Sequence, residues 1–579
     1  MTQNDVTRTG PADRVFRNAK VYSVALDDTL TRAEAVAVKD GKIVYVGTNE
    51  GAVSFTGEKT VVTDCKGCTI LPGFGDGHMH LAYAVNRFGG VRIHDLMKDY
   101  REPEYYIKEI QRRIKAYLEE HPDTPSVLGG GWDRAWFDGS VGGYPVRPFT
   151  RHDLDAVVSD RPAVLDSYCG HICLFNSFAL EKAGLLRTGV EQIPGGEIRM
   201  GEDGIPDGFV QETAAIYAVK ERIPGSSWGT KEKHEALTLC FKDMAKEGIT
   251  IATDYMYNKD SYELFSQMAK DGEFTLRVSG SFLVYDQTAE EDLRYAVEHM
   301  HDYDADDLMK TDAVKFFLDG NLALCEPYPP EFCEAMGWEE GFRGDILWDE
   351  ENFKKAAAAA QKAGFHLHVH AMGDRAVDVA ADAFSYARET EDKDKTKRDV
   401  IIHITLIKDE TKRKMAKAGL IANVQPLWEG VTVTGNEQEL TVLGQERFVN
   451  MYPCRSIMDN GVVVAFGSDF PVNPFDTFGS LQAAMTRLLS PRDVQYELCK
   501  NDPVVNPAER ISLQQAVKAG TVNVAYELGL EKVTGSIEVG KSAELVLIDR
   551  DIVATPVDKV AEIKVLETLF KGKTVYKAA

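Results

Sequence analysis

The sequence lacks any apolar run long enough to cross a bilayer, and its 579 residues include only nine cysteines. Because nine is an odd number, they cannot all pair within one molecule, and we interpret them as reduced thiols. Basic residues are outnumbered, 66 against 91 acidic ones, giving a formal charge of −25. This balance argues against nonspecific binding to nucleic acid or anionic membranes. Arginine clusters that would mark a phosphate or dicarboxylate site are also missing.

The polar segment from Met1 to Gly10 has no apolar core of the kind found in secretory signals, so we expect a cytoplasmic protein. Hydrophobic residues form 44% of the chain and charged residues 27%, which is typical of a globular protein. We expect a small-molecule substrate, with no nucleic acid or membrane partner, and leave a homodimer open.

Both ends of the chain read as short strands. The N-terminal candidates are Val15 to Val24, Ala35 to Val38 and Lys42 to Gly47, the last two joined by an Asp40-Gly41 turn. The C-terminal candidates run from Ala543 to Asp549 and from Thr568 to Tyr576. We therefore expect the two ends to build one sheet-rich domain together.

The middle of the chain alternates short apolar strands with longer helical stretches, which is typical of βα units around a parallel sheet. Counting the strand that leads into His78, there are eight, the number that a closed (β/α) barrel requires. The other seven candidates are Ile249 to Tyr255, Phe274 to Val284, Ala313 to Leu318, Phe365 to His370, Val400 to Ile407, Leu420 to Leu427 and Val462 to Gly467.

Residues 96–227 interrupt this alternation and are rich in glycine and aromatic residues, so we interpret them as an insertion after the first strand. Within it, Tyr105 to Leu118 has apolar residues at helical spacing, which favours packing over function. A helix from Glu351 to Ala363 is expected to end at Gly364.

Two histidines follow a glycine-rich turn in the stretch from Leu71 to Leu81. Side chains at i and i+2 of a strand point to the same side, so His78 and His80 can present two imidazoles to one cation. Taken alone, the pair is better explained by two partly exposed histidines at the end of a strand. The choice between a metal site and exposed histidines therefore depends on whether other strand ends supply further ligands.

Three further strand ends supply such side chains. His370 closes a strand that also holds His366 and His368, which we expect to be buried in the barrel interior. The next candidate strand supplies His403, and Asp469 follows the last strand. Because barrel enzymes collect their chemistry at the C-terminal ends of strands, these residues together favour a metal site.

Lys315 lies in the fourth strand between apolar residues. It could reach solvent at an edge, as most lysines do. Facing into the barrel it would be costly as a cation and reactive as a neutral amine, so it could add carbon dioxide. The resulting carbamate is a long carboxylate able to bridge two metal ions.

Several segments in order resemble the signatures of the amidohydrolase superfamily, and more narrowly the amidohydrolase family 3 branch that contains N-substituted formamide deformylases. They are Leu71 to Leu81, Val314 to Gly320, His370 to Asp374, His403, Gln425-Pro426 and Gly467 to Pro471, with Gly535 to Asp549 near the end. The resemblance implies an α/β fold: a distorted (β/α)8 TIM barrel at 71–494, and a composite β-sandwich domain from 1–70 plus 495–579. One departure is Glu544, where relatives usually have Asp.

The resemblance also implies a metal-dependent hydrolase that cleaves a non-peptide C–N bond by a metal-activated hydroxide, with Asp469 as general acid and base. It implies two divalent ions, expected to be Zn²⁺. Carried over by matching position, His78, His80 and Asp469 hold one ion, His370 and His403 hold the other, and carboxylated Lys315 bridges them.

Two alternatives remain. A deaminase of the same superfamily uses a glutamate soon after the fifth-strand histidine, whereas Ala-Met-Gly-Asp374 follows His370. A non-catalytic regulatory relative would have lost ligands, and this chain has kept all of them.

The substrate is the least determined feature. The aromatic and polar residues Trp132, Asp133, His171 and Trp428 are candidates for substrate binding, with Trp136 and Phe137 beside them in sequence. Packing between insertion and barrel explains them equally well.

Overall fold

A computed structural model describes residues 10–98, 101–139, 144–168, 170, 172–193, 196–257, 259–303, 308–320, 322–336, 338–392, 396–432, 436–493 and 496–579. The chain forms two compact units. One contains Met1–His80 and Phe241–Ala579, and the other is Leu81–Cys240. The insertion expected at 96–227 lies within the second unit.

Eight parallel strands form the barrel of the first unit, which confirms the predicted α/β barrel. In chain order they are β1 (Phe74–Asp76), β2 (Ile249–Tyr257), β3 (Arg277–Leu283), β4 (Met309–Phe317), β5 (His366–Ala371), β6 (Val400–His403), β7 (Ile421–Val424) and β8 (Val463–Phe466). Each strand pairs with the next in this order. Backbone bonds from Gly77 N to Phe466 O (2.8 Å) and from His80 N to Phe470 O (2.7 Å) join the last strand to the first.

The sixth and seventh strands end several residues earlier than the sequence predicted. The sixth ends at His403 rather than Ile407, because His403 and Ile404 have φ angles of 79° and 50° and leave the extended conformation. The seventh ends at Val424, and a 3-10 helix begins at Pro426, whose nitrogen has no hydrogen to donate to a sheet.

Helices surround the barrel. Those of the first unit and its boundary are Thr230–Lys246, Lys259–Lys270, Ala289–His299, Pro330–Met336, Glu350–Ala363, Asp374–Thr390, Asp409–Ala418, Glu437–Phe448, Cys454–Asp459, Thr477–Thr486, Tyr496–Cys499, Leu513–Ala519 and Val522–Glu527. The helix predicted before Gly364 is confirmed. Asp349 caps its first turn by accepting from Asn352 N, and Gly364 ends it with a φ of 110°.

The two chain ends contribute jointly to a mainly antiparallel sheet, as the sequence predicted. Its strands in spatial order are Lys573–Lys577, Val565–Phe570, Leu545–Ile548, Thr69–Pro72, Lys20–Val24 and Leu30–Ala33. A second sheet consists of Lys42–Gly47, Ala35–Lys39, Arg14–Arg17 and Val61–Asp64. The single strand expected from Val15 to Val24 is two strands, because the chain turns at Asn18 with a φ of 54°.

Glu544 connects this sheet to the base of the barrel. Its carboxylate lies 3.3 Å from Nη2 of Arg277, the first residue of β3, and accepts a 2.7 Å bond from Ser542. Both charged side chains are almost fully buried. Glu544, the residue that differs from the usual Asp, therefore makes its contacts inside the first unit.

The second unit has its own sheet and core. Its strands in spatial order are Glu197–Met200, Pro206–Gln211, Ile172–Phe175, Ala163–Ser167, Val127–Trp132 and Val91–Arg92. Its helices include Ala84–Phe88, Pro103–Glu120, Arg151–Asp155, Ser177–Lys182 and Thr213–Lys220. The helix predicted over Tyr105 to Leu118 buries Ile107, Ile110 and Ile114, as expected for packing.

Two further expectations concern the whole chain. The eight cysteines that the structure describes are free thiols, whereas Cys169 lies outside the described residues. Within the described ranges, no helix combines the length and the apolar character needed to span a membrane.

Candidate metal centre

The loops after β1 and β8 bring three of the candidate ligands together. Oδ1 of Asp469 lies 3.0 Å from Nε2 of His78 and 3.1 Å from Nε2 of His80. The backbone supports this arrangement, since Asp469 N donates a 2.8 Å bond to His78 O. The His-x-His pair thus shares one carboxylate oxygen supplied from the other end of the barrel sequence.

Strands β5 and β6 add two more histidines. The ring of His403 lies 4.8 Å from that of His78 and 4.5 Å from that of His370, measured between centroids. His78, His403 and Asp469 each offer a ligand atom within 4.8 Å of the others. Imidazole nitrogens and a carboxylate oxygen at this spacing are suited to a divalent transition metal.

Lys315 of β4 points into the same space. Its side chain is fully buried, and Nζ makes no hydrogen bond among the described residues. Nζ lies 4.8 Å from the centroid of the Tyr255 ring and 4.9 Å from that of Phe317. Because burial disfavours the cation, the pKa of Lys315 falls to about 7, so a large fraction of the amine is neutral near neutral pH.

The electrostatics favour neutral histidines around an ionised carboxylate. Burial, followed by the charge of Lys315, holds the pKa of His78 well below its ordinary value, and burial lowers that of His403 to about 4. Burial pushes the pKa of Asp469 upward, but the bonds with His78 and His80 outweigh it and hold that pKa well below the ordinary value. These are the protonation states that metal ligands require.

Two of these ligand positions have an unusual backbone. His403 and Asp469 have φ angles of 79° and 59°, in the left-handed region that residues other than glycine rarely adopt. Such conformations cost free energy and persist where the surrounding structure enforces them. The turn at each residue directs a side chain towards the centre of the barrel mouth.

The centre opens on one side. The side chain of His78 is fully buried, whereas those of His80 and His370 are 15% and 16% exposed. Trp428 is partly exposed, and its ring stacks on that of His403 at 5.2 Å with an interplanar angle of 15°. An aromatic surface therefore lies next to the candidate ligands.

Two carboxylates near the site were missed by the sequence analysis. Asp76 Oδ1 accepts from Ser468 N (2.8 Å) and His78 N (3.3 Å), and so ties the loops after β1 and β8 together. Burial raises the pKa of Asp76 to about 7. The signal available in the sequence was the placement of Asp76 between two glycines directly before His78.

Asp319 is the second of these carboxylates. It accepts from the backbone nitrogens of Ala323 (3.1 Å) and Gly373 (2.9 Å), and its Oδ1 lies 3.4 Å from Nε2 of His370. Burial raises its pKa to about 6. The available signal was the Asp319-Gly320 pair, which begins two residues after the end of β4.

The proposed substrate-binding residues lie in different surroundings. In the second unit, Trp132 is 1% exposed, donates from Nε1 to Leu165 O at 2.9 Å, and packs against Phe149 with 5.5 Å between ring centroids. These contacts are typical of a core residue. Asp133 accepts a 2.9 Å bond from Ala135 N and caps a short helix. His171 lies outside the described residues.

The barrel interior below the site is also polar. His368 is almost fully buried, as expected, and its Nδ1 lies 3.4 Å from Ser281 Oγ. His366 was expected in the interior too, but it is the first residue of β5 and is partly exposed at the opposite end of the barrel, where it accepts from Arg398 N at 3.0 Å. Neither histidine lies at the barrel mouth, which leaves His370 as the candidate ligand of this strand.

The donor set fits a divalent cation. Three potential ligand atoms already lie within 4.8 Å of one another, and Lys315 Nζ is a buried polar atom without a hydrogen-bond partner among the described residues. If the neutral amine bound a cation, or were converted to a carbamate that does so, this buried polar group would no longer lack a partner. The assignment of all six residues as ligands stays a prediction.

Comparisons with known proteins agree with this chemistry. A family model described as "Amidohydrolase family" matches residues 61–576. The chain is 26% identical over 557 residues to the putative amidohydrolase YtcJ of Bacillus subtilis (strain 168), covering 94% of this chain and 96% of YtcJ. It is also 26% identical over 589 residues to N-substituted formamide deformylase of Arthrobacter pascens, covering 97% and 98% of the two chains.

The fold is similar to that of solved structures. An uncharacterized metal-dependent hydrolase from Pyrococcus furiosus superposes with a TM-score of 0.69 at 19% identity, covering 93% of this chain and 99% of that one. At this identity the match concerns the fold.

Proposed function

Because the chain belongs to the amidohydrolase family and is therefore a hydrolase of carbon–nitrogen bonds other than peptide bonds, we propose that it cleaves an amide-type bond of a small molecule at the barrel mouth. The observation that carries the proposal is the convergence of His78, His403 and Asp469 within 4.8 Å at the ends of three barrel strands. His80, His370 and Lys315 complete the proposed site.

The residues would hold two divalent ions, with Zn²⁺ as the expected metal. His78, His80 and Asp469 are proposed for one ion and His370 and His403 for the other, with carboxylated Lys315 shared between them. When bound, such ions supply Lewis acidity that lowers the pKa of water and polarises a carbonyl group. Neutral histidines and ionised Asp469 support this assignment.

Asp469 is proposed as the general acid and base. One carboxylate oxygen, Oδ1, lies against His78 and His80, which leaves the second oxygen for a proton. It would accept the proton of the attacking water and deliver it to the leaving nitrogen, since an amine is expelled readily only after protonation. Asp469 and His78 are both buried, which keeps this proton away from bulk water.

Trp428 is proposed to contact the substrate. Its ring is partly exposed and parallel to that of His403, so an apolar or aryl substituent could lie along it. The role of Trp132, Asp133 and His171 in substrate binding stays a prediction, and the core position of Trp132 supports packing instead.

The deaminase alternative has less support. A deaminase would need a glutamate soon after His370, whereas the first acidic residue after it is Asp374. The Asp374 carboxylate accepts from Cys325 N at 2.8 Å. A non-catalytic regulatory role is disfavoured because all six proposed ligands are present in this chain.

The test is a hydrolysis screen of zinc-reconstituted protein against N-formyl, N-acyl, carbamate, lactam and ester panels. We expect release of amine from one carbon–nitrogen class, abolished by a chelator and restored by metal. Release of ammonia from a heterocyclic base would favour the deaminase alternative. Absence of both bound metal and hydrolysis would contradict the proposal.

A further inference from the structure

A chain of three polar side chains leads away from His403 into the base of the barrel. His403 Nδ1 lies 2.8 Å from Gln425 Oε1, and Gln425 Nε2 donates to Asn423 Oδ1 at 3.1 Å. Asn423 Nδ2 lies 3.1 Å and 2.9 Å from the two carboxylate oxygens of Glu527. All four side chains are buried, with at most 3% of each residue exposed.

The acid at the end of the chain sets the direction of every bond. Tyr255 donates its own proton to Gly77 O, so its oxygen can accept the proton of a neutral Glu527, and the carboxyl group accepts from Asn423 Nδ2 whether it is neutral or ionised. The Asn423 amide therefore turns its oxygen towards Gln425. Gln425 must then donate from Nε2 and turn its own oxygen towards His403. An amide oxygen can only accept, so the proton of a neutral His403 belongs on Nδ1, and the lone pair is left on Nε2.

The packing around Glu527 indicates a built site. The helix Val522–Glu527 comes from the C-terminal segment, 104 residues after Asn423, yet its last residue reaches the interior of the barrel. Tyr255 Oη donates to Gly77 O at 2.8 Å and lies 3.3 Å from Glu527 Oε1. The same tyrosine ring lies 4.6 Å from that of His78.

Two glycines make room for these side chains. A Cβ atom at Gly77 would clash with the Glu527 carboxylate and lie 2.5 Å from Asn423 Nδ2. A Cβ atom at Gly467 would lie 2.7 Å from Asn423 Oδ1 and 2.6 Å from His78 Cβ. Gly77, before His78, and Gly467, before Asp469, are therefore required by the space that Glu527, Asn423 and His78 occupy. We call the hydrogen-bonded chain of Glu527, Asn423 and Gln425 the relay.

We propose that Glu527, Asn423 and Gln425 are positioning residues, which together hold His403 as the Nδ1–H tautomer and present Nε2 to the metal centre. The inference rests on the proposed metal site and deepens it. Partners that orient a ligand histidine in this way typically contribute about 10- to 100-fold to metal affinity.

The first test measures the tautomer directly in the metal-free full chain. Two-bond ¹H–¹⁵N correlation spectra of ¹⁵N-histidine-labelled protein distinguish Nδ1–H from Nε2–H, and loss of one signal in His403→Gln assigns the resonance. We expect Nδ1–H in the wild type and in Gln425→Glu, which keeps an acceptor, and a mixture of tautomers in Gln425→Leu. The Nε2–H tautomer in the wild type, or an unchanged tautomer in Gln425→Leu, would overturn the inference.

The second test measures zinc affinity by chelator competition. Gln425→Leu and Glu527→Leu should weaken binding about 10- to 100-fold, while the conservative variants Gln425→Glu and Glu527→Gln should retain most of it. Equal affinity in all four variants would contradict the relay. A wild-type chain that binds no zinc would overturn the proposed function instead, and the tautomer measurement would still decide the relay.

Discussion

Asp469 Oδ1 lies 3.0 Å from Nε2 of His78, although the two residues belong to opposite ends of the barrel sequence. Closure of the sheet places the end of β8 beside the end of β1, and the buried carboxylate of Asp76 bonds to the loops at both ends. The candidate site therefore depends on barrel closure as well as on ligand identity.

Replacement of Asp469 should separate metal binding from turnover. Asp469→Asn keeps one oxygen towards the histidines but cannot accept a proton as a carboxylate does. We expect metal content to be retained and kcat to fall about 10²- to 10⁴-fold. Metal analysis and steady-state kinetics check this, with Asp378→Asn on an outer helix as the control. Full activity of Asp469→Asn would refute the assigned role.

Lys315 should carry carbon dioxide, whereas Lys220, which is paired with Asp166 in the second unit, should not. Burial lowers the pKa of Lys315 to about 7, whereas Asp166, 2.7 Å from Nζ of Lys220, outweighs burial and raises the pKa of Lys220 above its ordinary value. In ¹³C-bicarbonate we expect a carbamate resonance by ¹³C NMR in zinc-loaded wild type and Lys220→Met, and none in Lys315→Met. Its persistence in Lys315→Met would place the carbamate elsewhere.

Two tryptophans should respond differently to substitution. Trp428→Ala removes the partly exposed ring beside His403, and we expect KM for aryl amides to rise about two- to tenfold with little change for alkyl analogues. Trp132→Phe deprives the Leu165 carbonyl of its donor and should lower the melting temperature while leaving KM unchanged. A large change in KM for Trp132→Phe would instead support a role in substrate binding.

The space around Gly77 predicts a steric effect. Gly77→Ala forces its new methyl group against Asn423 and Glu527, and we expect a loss of about 1–3 kcal/mol in the free energy of unfolding, together with weaker zinc binding. Gly320→Ala is the matched control, because its Cβ would meet nothing within 4 Å. Denaturant unfolding and chelator competition measure both effects. Equal unfolding free energies and zinc affinities of Gly77→Ala and Gly320→Ala would show that Asn423 and Glu527 move aside for the new methyl group.

Glu527 should make stability depend on pH. Burial raises its pKa to about 8, so the folded state retains a proton that the unfolded state releases above its ordinary value of 4.5. The contribution of Glu527 to the free energy of unfolding is fully present below pH 4.5 and is lost as the pH rises towards 8. The buried histidines act in the opposite sense, so the comparison must be between wild type and Glu527→Gln.

Denaturant unfolding of metal-free protein at pH 5 and pH 8 makes this comparison. Between pH 5 and pH 8, the wild type should lose more unfolding free energy than Glu527→Gln, or gain less. We expect the difference between the two proteins to reach up to a few kcal/mol, since one pKa unit corresponds to about 1.4 kcal/mol. An identical pH dependence in both proteins would show that Glu527 is ionised throughout.

The sequence by itself determined the barrel and the residue types at its mouth. Short apolar runs between helical stretches identified all eight strands, and strand ends identified His78, His80, His370, His403 and Asp469 as a group. This worked because both signals are local: a short apolar run marks a buried strand, and polar candidate residues follow at its C-terminal end.

Tertiary structure alone decided how those residues are held. Glu527 reaches Asn423 across 104 residues, Asp319 meets the loop after β5, and the left-handed backbone of His403 ends its strand early. No local pattern encodes such contacts, because a buried polar group takes whichever partner the folded chain brings within hydrogen-bond distance. The candidate ligands were predicted from the sequence, whereas the hydrogen-bond network around them follows from barrel closure.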